Sequence, residues 1–461
     1  MTKESGVVRQ MNNKDMGTES IYKLLLRLAI PTVLAQIVNL LYNMVDRVFV
    51  GRIPMEGSMA LAGLGVAFPV VMLVAAFAAM VGMGGAPRAA IFMGRKENDK
   101  AEKILGNSVT LLVIFAVILT GVFLLFKDSI LMVFGASEQT LPYASQYLSV
   151  YLIGTIFVQF TLGLNMFIIS QGFAKTGMLT VCIGAALNIV LDPIFIFTFD
   201  MGVVGAAVAT VIAQGVSAIW VLRFLLGNKT ILKIRKENLS LRKDVSLPIL
   251  QLGASPFVMQ STECLIQLVF NNSMLHYGGD LYVALMSILF SVMQLVWLPI
   301  QGLSQGAQPI LSYNFGAENM ERVKGTFKLL LKISLIFSLS VVAVIFIFPK
   351  MFIGMFTEDP QLLQIGTRGI RIFMAGMAIM GAQSACQQTF LALGQAKISM
   401  FLAFLRKIFL LIPLVLILPK ICGLGTDGVL MGEAIADTLA AIITTTIFIK
   451  RSKTMLAPRI K

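Results

Sequence analysis

Long apolar runs separated by short polar breaks dominate this chain. A helix needs about 20 apolar residues to cross the hydrocarbon core of a bilayer. Twelve runs reach that length, at 28–50, 59–84, 106–126, 143–166, 178–198, 202–226, 248–275, 282–308, 327–348, 362–390, 398–418 and 428–449. We therefore predict twelve transmembrane helices. The second and eighth contain Gly and Pro, which favour bends.

Composition supports an all-α integral membrane protein. Hydrophobic residues make up 57% of the 461 residues and charged ones only 13%, against about 25% charged in soluble domains. So few charges could not cover a water-soluble surface of this size. The polar N-terminal lead lacks the short apolar region and cleavage site of a signal peptide, so we expect the first helix to remain in the mature protein.

The net charge of +14 indicates membrane anchoring rather than nucleic-acid binding, because the basic residues lie between apolar runs. They cluster in both tails and in the second and sixth loops, and include Lys3, Arg9, Lys14, Lys23, Arg27, Arg88, Arg95, Lys96, Lys100, Lys103, Arg223, Lys229, Lys233, Arg235, Lys236, Arg242, Lys243, Lys450, Arg451, Lys453, Arg459 and Lys461. By the positive-inside rule these segments, and hence both termini, are cytoplasmic in a cell-membrane protein. An even number of spans agrees.

Metal and disulfide chemistry are not expected. The sequence has one histidine, His276, and four scattered cysteines without a CxxC pair: Cys182, Cys264, Cys386 and Cys422. Neither a metal site nor a disulfide framework follows from such a set. We expect no cofactor.

The two halves of the chain match at an offset of about 222 residues. The match pairs Gly84 with Gly306, Pro87 with Pro309, Gly94 with Gly316, Gly172 with Gly394 and, after a one-residue slip, Gly202 with Gly425. Each half holds six spans that enter the membrane in the same sense. We predict two six-helix lobes, 1–226 and 248–461, joined by a cytoplasmic linker at 227–247 and related by a pseudo-twofold axis along the membrane normal.

Polar stripes mark the first, seventh and eighth spans. They comprise Gln36, Asn39, Asn43 and Asp46, then Gln260, Glu263, Gln267 and Asn271, then Ser287, Ser291, Gln294, Gln301, Gln305 and Gln308. Hydrogen bonds between helices could explain any one of them, but three long stripes favour a wet cavity. Met293 is a further cavity candidate, because flexible thioethers suit promiscuous binding.

Four polar residues are predicted to lie at one depth in the outer half of the membrane. At 1.5 Å per residue, Asp46, Asn188, Asp192 and Thr210 fall in one layer. Desolvation and repulsion favour protonating one of the two carboxylates, and a sodium ion could take the proton's place. The alternative for Asp46 is an ion pair with Arg47. We predict a coupling site here.

The stretch from Tyr42 to Asp46, the doubled Gly/Pro pattern and the set Asn188, Asp192 and Thr210 resemble the multidrug and toxic compound extrusion (MATE) transporters and, within them, MepA-type multidrug export proteins. The resemblance covers nearly the whole chain. It implies a two-lobed antiporter, open alternately to each side, that exports cationic lipophilic drugs or dyes against H⁺ or Na⁺ entry. The family's cation site then maps onto Asp46, Asn188, Asp192 and Thr210, with Tyr42 beside them.

One branch of the family also uses acids in the seventh and tenth spans. Glu263 fills the first role, but the tenth span, 362–390, contains no Asp or Glu. We therefore place coupling in the first lobe and interpret Glu263 as a counter-charge for a cationic substrate. The candidate substrate residues are Gln36, Asn39, Asn43, Glu263, Gln267, Ser291, Met293 and Gln294.

Three other functions remain as alternatives. A flippase for lipid-linked oligosaccharides or lipids would need interior basic residues to meet pyrophosphate; the interior helices offer acids and amides, and Arg406 and Lys407 are expected to snorkel to the cytoplasmic surface. An enzyme would need a nucleophile–base pair, of which GxSxG is one signature, or a metal motif such as HExxH. A channel would need no coupling acids. We expect a non-enzymatic transporter that acts as a monomer among membrane lipids.

Overall fold

The computed structural model describes residues 13–457, and within that range every regular element is a helix. The all-α prediction is therefore confirmed. The tail charges at Lys3, Arg9, Arg459 and Lys461 lie outside the described residues.

Twelve long helical segments, α1 to α12, follow one another along the chain. Their bounds are Ile21–Gly51, Gly57–Gly94, Asn98–Val133, the bent pair Leu141–Ile153 and Thr155–Ser170, Ala174–Thr198, Gly202–Leu226, Lys243–Gly278, Asp280–Gly316, Met320–Ile347, Pro360–Ala392, Ala396–Ile421 and Gly425–Met455. Shorter helices lie at Asn13–Thr18, Lys236–Asn238 and Pro349–Gly354. Each predicted span falls on one long segment, so the twelve-helix arrangement is confirmed.

The long segments differ in how well they suit a membrane. Ten are apolar and long enough to cross it, and α4 makes an eleventh as a pair bent by 63°. Helix α7 has 36 residues and is long enough to cross a membrane. It is less apolar than the others because it carries the polar stripe that includes Gln260 and Glu263. A polar helix in such a bundle is stable only where protein or water meets its polar face.

Backbone irregularities lie away from the two spans in which bends were predicted. Helices α2 and α8 each continue unbroken through two prolines. Wide π-helical turns occur instead at Phe160–Leu164, Ile194–Thr198 and Leu405–Leu411. The second follows Pro193, which has no N–H for the helical ladder. Such turns are frequent at functional sites.

The internal repeat is visible in the backbone. Residues with positive φ recur in pairs at the repeat offset: Lys96 and Glu318 at 62° and 60°, Gly172 and Gly394 at 92° and 72°, and Gly202 and Gly425 at 53° and 52°. Four of these six are glycines, which adopt this conformation without strain. Helices α1–α6 and α7–α12 are thus two copies of one six-helix unit, here called the first and second halves.

The two halves meet where the segment 227–242 and the loop 95–97 lie, which we call the basic end. Near this end, Thr32 Oγ1 on α1 donates to the carbonyl of Gly302 on α8 at 2.6 Å. One turn further along, Gln36 Nε2 donates to Gln305 Oε1 at 3.2 Å. Phe77 on α2 contacts the ring of Phe257 on α7, with ring centroids 4.9 Å apart.

Glycines permit this close approach. A Cβ added to Gly306 on α8 would overlap the Cα of Ala29 on α1, and one added to Gly253 on α7 would overlap the carbonyl of Met80 on α2. Small residues at helix interfaces let backbones pack closely, which is a main source of helix association in membranes. The basic end is therefore closed by backbone packing between the halves.

The segment that joins the halves is fastened to the first half. Gln171 Oε1 accepts from the backbone N–H groups of Ile231 and Leu232 at 2.8 and 2.7 Å. Asn107 Oδ1 accepts from the N–H of Arg242 at 2.8 Å. Helix α7 then begins at Lys243, inside the predicted linker 227–247.

The N-terminal segment, by contrast, is fastened to the second half. Arg322 on α9 donates to the carbonyls of Met16 and Glu19 at 3.1 and 2.8 Å, and Asn314 Nδ2 donates to Met16 at 3.0 Å. The short helix Asn13–Thr18 thus bridges the basic end before α1 enters the first half.

Replacing Gly306 by Val should force the halves apart at the basic end, because the new side chain cannot share space with Ala29. Pulsed electron–electron resonance between spin labels at the exposed positions Lys103 and Lys324 should show a distance longer by several ångströms. Gly121→Val is the matched control, since nothing lies within 4 Å of a Cβ there. An unchanged distance in the Gly306 variant would contradict this account of the closure.

Candidate functional site

A buried polar cluster in the first half joins helices α5 and α6. Asn188 Nδ2 donates to Asp192 Oδ1 at 3.1 Å and to Thr210 Oγ1 at 3.3 Å. All three side chains are buried. Asn188 and Asp192 are four residues apart, which places them on one face of α5. The structure thus brings together three residues that the sequence predicted at one depth.

Asp46 on α1 completes this cluster. Its carboxyl group lies within hydrogen-bonding reach of the carboxyl group of Asp192. A hydrogen bond between two carboxyl groups requires a proton on one of them. The alternative partner, Arg47, lies with its guanidinium 5.2 Å from the ring centroid of Phe68, and no ion pair joins Asp46 to Arg47 among residues 13–457.

Tyrosines surround the acids. Tyr42 lies near both Asp46 and Asp192. Tyr147 on α4 lies beside Thr210 and stacks on Tyr151, with ring centroids 6.0 Å apart. Sequence reasoning missed this pair on α4. The one available signal was their four-residue spacing within an apolar span.

The cluster has more acceptors than donors. Asp46 Oδ1, Asn188 Oδ1 and Asp192 Oδ2 are buried oxygens for which the described part of the chain supplies no donor. Oxygens of this kind are the ligands that hard cations prefer, and a carboxylate also accepts a proton. These acceptor oxygens could therefore hold a proton or a sodium ion.

The candidate substrate residues do not form one contact network. Gln36 bonds across the halves, whereas Asn43 donates to the carbonyl of Asn39 and Ser291 to that of Ser287, each within its own helix. Asn39, Asn43 and Gln294 are exposed, and Gln36, Gln267, Ser291 and Met293 are half-buried. Their contribution to a binding surface stays a prediction.

A second buried cluster lies in the second half, on α7, α11 and α12. Lys407 Nζ donates to Glu263 Oε2 at 2.7 Å, and the Arg406 guanidinium donates to Asp437 Oδ1 at 2.8 Å. Glu433 Oε1 is 3.8 Å from Arg406. Arg406 also lies over the ring of Trp297 on α8, 5.4 Å from its centroid.

Comparison with known proteins identifies the family. The MatE family model matches residues 31–194 and 257–417, more than half of the chain. The chain belongs to the MATE family.

Individual MATE relatives cover almost all of the chain. The multidrug export protein MepA of Staphylococcus aureus (strain N315) is 27% identical over 423 residues, 92% of each chain. MepA of Staphylococcus haemolyticus (strain JCSC1435) is 26% identical over 425 residues, again 92% of each.

Solved structures are similar over the same extent. One, described as the outward-facing conformation of a multidrug resistance MATE family transporter of the MOP superfamily, superposes with a TM-score of 0.90 at 26% identity, covering 97% of this chain and 99% of that one. A Pyrococcus furiosus MOP transporter, described as having a binding pocket of reverse polarity, also gives 0.90 at 26% identity and covers 97% and 100%.

The second cluster corrects two expectations for this MATE transporter. Snorkelling of Arg406 and Lys407 to the cytoplasmic surface is wrong, because both are buried and each pairs with an acid. The interior helices consequently do contain bases. Glu263 is paired with Lys407 at 2.7 Å, and its role as a counter-charge for a cationic substrate stays a prediction.

Sequence reasoning missed Glu433 and Asp437. It looked for second-half acids on the tenth span, whereas this MATE chain carries them on α12. Their four-residue spacing in an apolar run was the signal available, together with the adjacent bases on α11.

Arg406→Leu should lower the free energy of unfolding by about 3–5 kcal/mol, because it leaves buried acids without their counter-charge. Arg235→Leu is the control: Arg235 pairs with Glu102 at 2.6 Å but its side chain is 56% exposed, so its loss should cost about 0–1 kcal/mol. Chemical unfolding of the purified protein in mixed micelles measures both. Equal losses would show that the second cluster is not held by its charges.

Proposed function

We propose that this transporter exports monovalent lipophilic cations, drugs or dyes, in exchange for H⁺ or Na⁺. The observation that carries the proposal is the buried cluster of Asp46, Asn188 and Asp192, which presents three acceptor oxygens without donors. Two carboxylates in hydrogen-bonding reach and out of water are stable only when they share a cation. The charge of the cluster therefore depends on the supply of that cation.

The orientation follows from charge. The segment 227–242 carries five basic residues, and Lys243 follows as a sixth. Such basic segments stay in the cytoplasm. The basic end is then the cytoplasmic end, with both tails on that side. Because the halves are packed together there, the described conformation is the one that faces outward, like the MATE structure described as outward-facing.

Helix α1 links the coupling cluster to the closure. It carries Asp46 toward its outer end and Thr32 and Gln36, which bond the second half, nearer the cytoplasm. A change in the charge at Asp46 therefore acts on the same helix that seals the cytoplasmic end. Exchange of the cation would thus bias which side is open, with the lobes 1–226 and 248–461 moving about the linker.

The cargo class rests on polarity and on relatives. The half-buried and exposed residues named above are amides, hydroxyls and a thioether, with Glu263 as the acid. Amides and thioethers adapt to many ligands, and the MepA relatives are named multidrug export proteins.

A second candidate is a flippase for lipid-linked oligosaccharides or lipids. The buried bases Arg406 and Lys407 favour it, because pyrophosphate needs such partners. Both bases, however, are already paired with acids, so the cluster as a whole does not attract an anion. Transport of a cationic dye without added lipid substrate distinguishes the two.

Asp192→Asn should abolish export while leaving folding intact, because the amide keeps the shape of the carboxyl group but can no longer exchange its charge. Dye efflux from proteoliposomes should fall to the rate of protein-free vesicles. Asp244→Asn is the control, since Asp244 is exposed and pairs with Arg242 on the surface. Wild-type efflux in the Asp192 variant would remove the first cluster from coupling.

The coupling ion is identified by driving the same vesicles with one gradient at a time. An imposed pH gradient alone supports efflux if the cluster exchanges protons, and a sodium gradient alone supports it if the cluster exchanges Na⁺. Efflux with neither gradient, at the rate seen with both, would contradict antiport.

Glu263→Gln should weaken the export of monovalent cations roughly tenfold more than that of neutral compounds, because a charge contact is lost for the first group only. Comparing the two compound classes in one variant provides the control, as a folding defect lowers both rates equally. Equal losses would therefore remove Glu263 from substrate recognition.

A further inference from the structure

The second cluster contains one more acid than base. The acids Glu263, Glu433 and Asp437 face the bases Arg406 and Lys407. The four residues on α11 and α12 are buried: Arg406, Lys407, Glu433 and Asp437. All five lie within membrane-spanning helices. With every group ionised, the cluster would carry one negative charge that no side chain in it compensates.

The distances show which acid is left over. Lys407 forms an ion pair with Glu263 at 2.7 Å, and Arg406 forms one with Asp437 at 2.8 Å. Glu433 has only the 3.8 Å approach to Arg406, and its Oε2 is buried without a donor among the described residues. Its side chain is 3% exposed. An uncompensated carboxylate at this depth is unfavourable, so the cluster lacks one unit of positive charge.

A proton on Glu433 is one way to supply that charge. A cation that enters between the halves is another, but it would meet Glu263 first, because the Glu263 side chain is 32% exposed while that of Lys407 is 8% exposed. A cation on Glu263 displaces the Lys407 ammonium. Lys407 already lies near enough to Glu433 to act on it electrostatically.

We propose that Glu263 and Glu433 form an exchange site for one positive charge, held either as a proton on Glu433 or as a monovalent organic cation on Glu263. Lys407 moves between the two carboxylates. It leaves Glu263 as the organic cation arrives, pairs with Glu433, and the Glu433 proton passes to solvent. One charge enters and one leaves, so the exchange is electroneutral. The inference rests on the proposed export of cations. It adds a second site of proton exchange to that function, separate from the first cluster.

Four charged groups lie around Glu433, and the exchange uses two of them, Glu263 and Lys407. Glu263 faces it from α7, Arg406 and Lys407 from α11, and Asp437 from its own helix. Cys264 on α7 lies beside Glu263. Helix α10, which also packs against α12, contributes Arg368, but that side chain pairs with Asp427 one to two turns nearer the start of α12.

The test counts protons released when the full chain binds tetraphenylphosphonium, a monovalent lipophilic cation. Titration calorimetry in two buffers of different ionisation heat gives that number near neutral pH. Asp46→Asn with Asp192→Asn silences the first cluster, so that remaining protons come from elsewhere. In this background we expect about one proton per bound cation, as linkage requires when binding displaces a proton.

Adding Glu433→Gln to that background should abolish proton release and weaken tetraphenylphosphonium binding at least about tenfold, because two acids then face two bases and no charge is missing. Adding Lys407→Gln as well should restore both the proton release and the binding of tetraphenylphosphonium. Two acids then face one base, and the proton that keeps Glu263 neutral is released directly when the cation binds. This rescue separates charge exchange from a structural defect, since a second substitution would not repair a misfolded protein.

Unchanged proton release in the Glu433→Gln variant, or no rescue by Lys407→Gln, would overturn the exchange site. Efflux assays keep this result apart from the proposed function. If wild-type vesicles export the cation but the Glu433 variant still releases one proton, only the exchange site fails. If wild-type vesicles export no cation under either gradient, the proposed function fails instead.

Discussion

A polar group out of water must find a partner inside the protein, and this constraint organises the whole molecule. It is met completely at Gln171, whose side-chain oxygen accepts from Thr230 and from two backbone N–H groups. It is left unmet at Asp46, Asn188 and Asp192, and again at Glu433. The two kinds of position have different uses. Satisfied groups hold segments together, while unsatisfied acceptors give the protein a reason to bind a cation.

The same constraint explains why the second half carries so many charges at little risk to the fold. Arg406 and Lys407 would each be costly alone among apolar helices, but each sits against a carboxylate. The wide turn Leu405–Leu411 presents both adjacent bases to different partners, one toward α12 and one toward α7. Neighbouring side chains on a helix point about 100° apart, so two adjacent bases can pair with acids on two different helices.

Most of the fold could be predicted from the sequence, because span length and the Gly/Pro repeat follow directly from membrane thickness and backbone sterics. The depth argument also grouped Asp192 with Asn188 and Thr210, since rise per residue is a fixed quantity in a helix. The partners of Arg406 and Lys407 could not be predicted in this way. Depth alone does not tell which way a side chain points, and the snorkelling interpretation assumed a route to water that packing by α7 and α12 closes. Tyr147 and Tyr151 escaped notice for a similar reason, as aromatic residues in an apolar span usually pack against lipid or other helices.

The fastening of the connecting segment determines what kind of movement the halves can make. Hydrogen bonds hold it to the first half as far as Arg242, and α7 starts at the next residue. No unattached residue therefore separates the first half from the start of α7. The start of α7 is consequently a fixed pivot, so the second half can rotate about it but cannot slide away from the first. Displacement in such a rotation grows with distance from the pivot, so the helix ends that lie far from the start of α7 move most, at either end of the molecule.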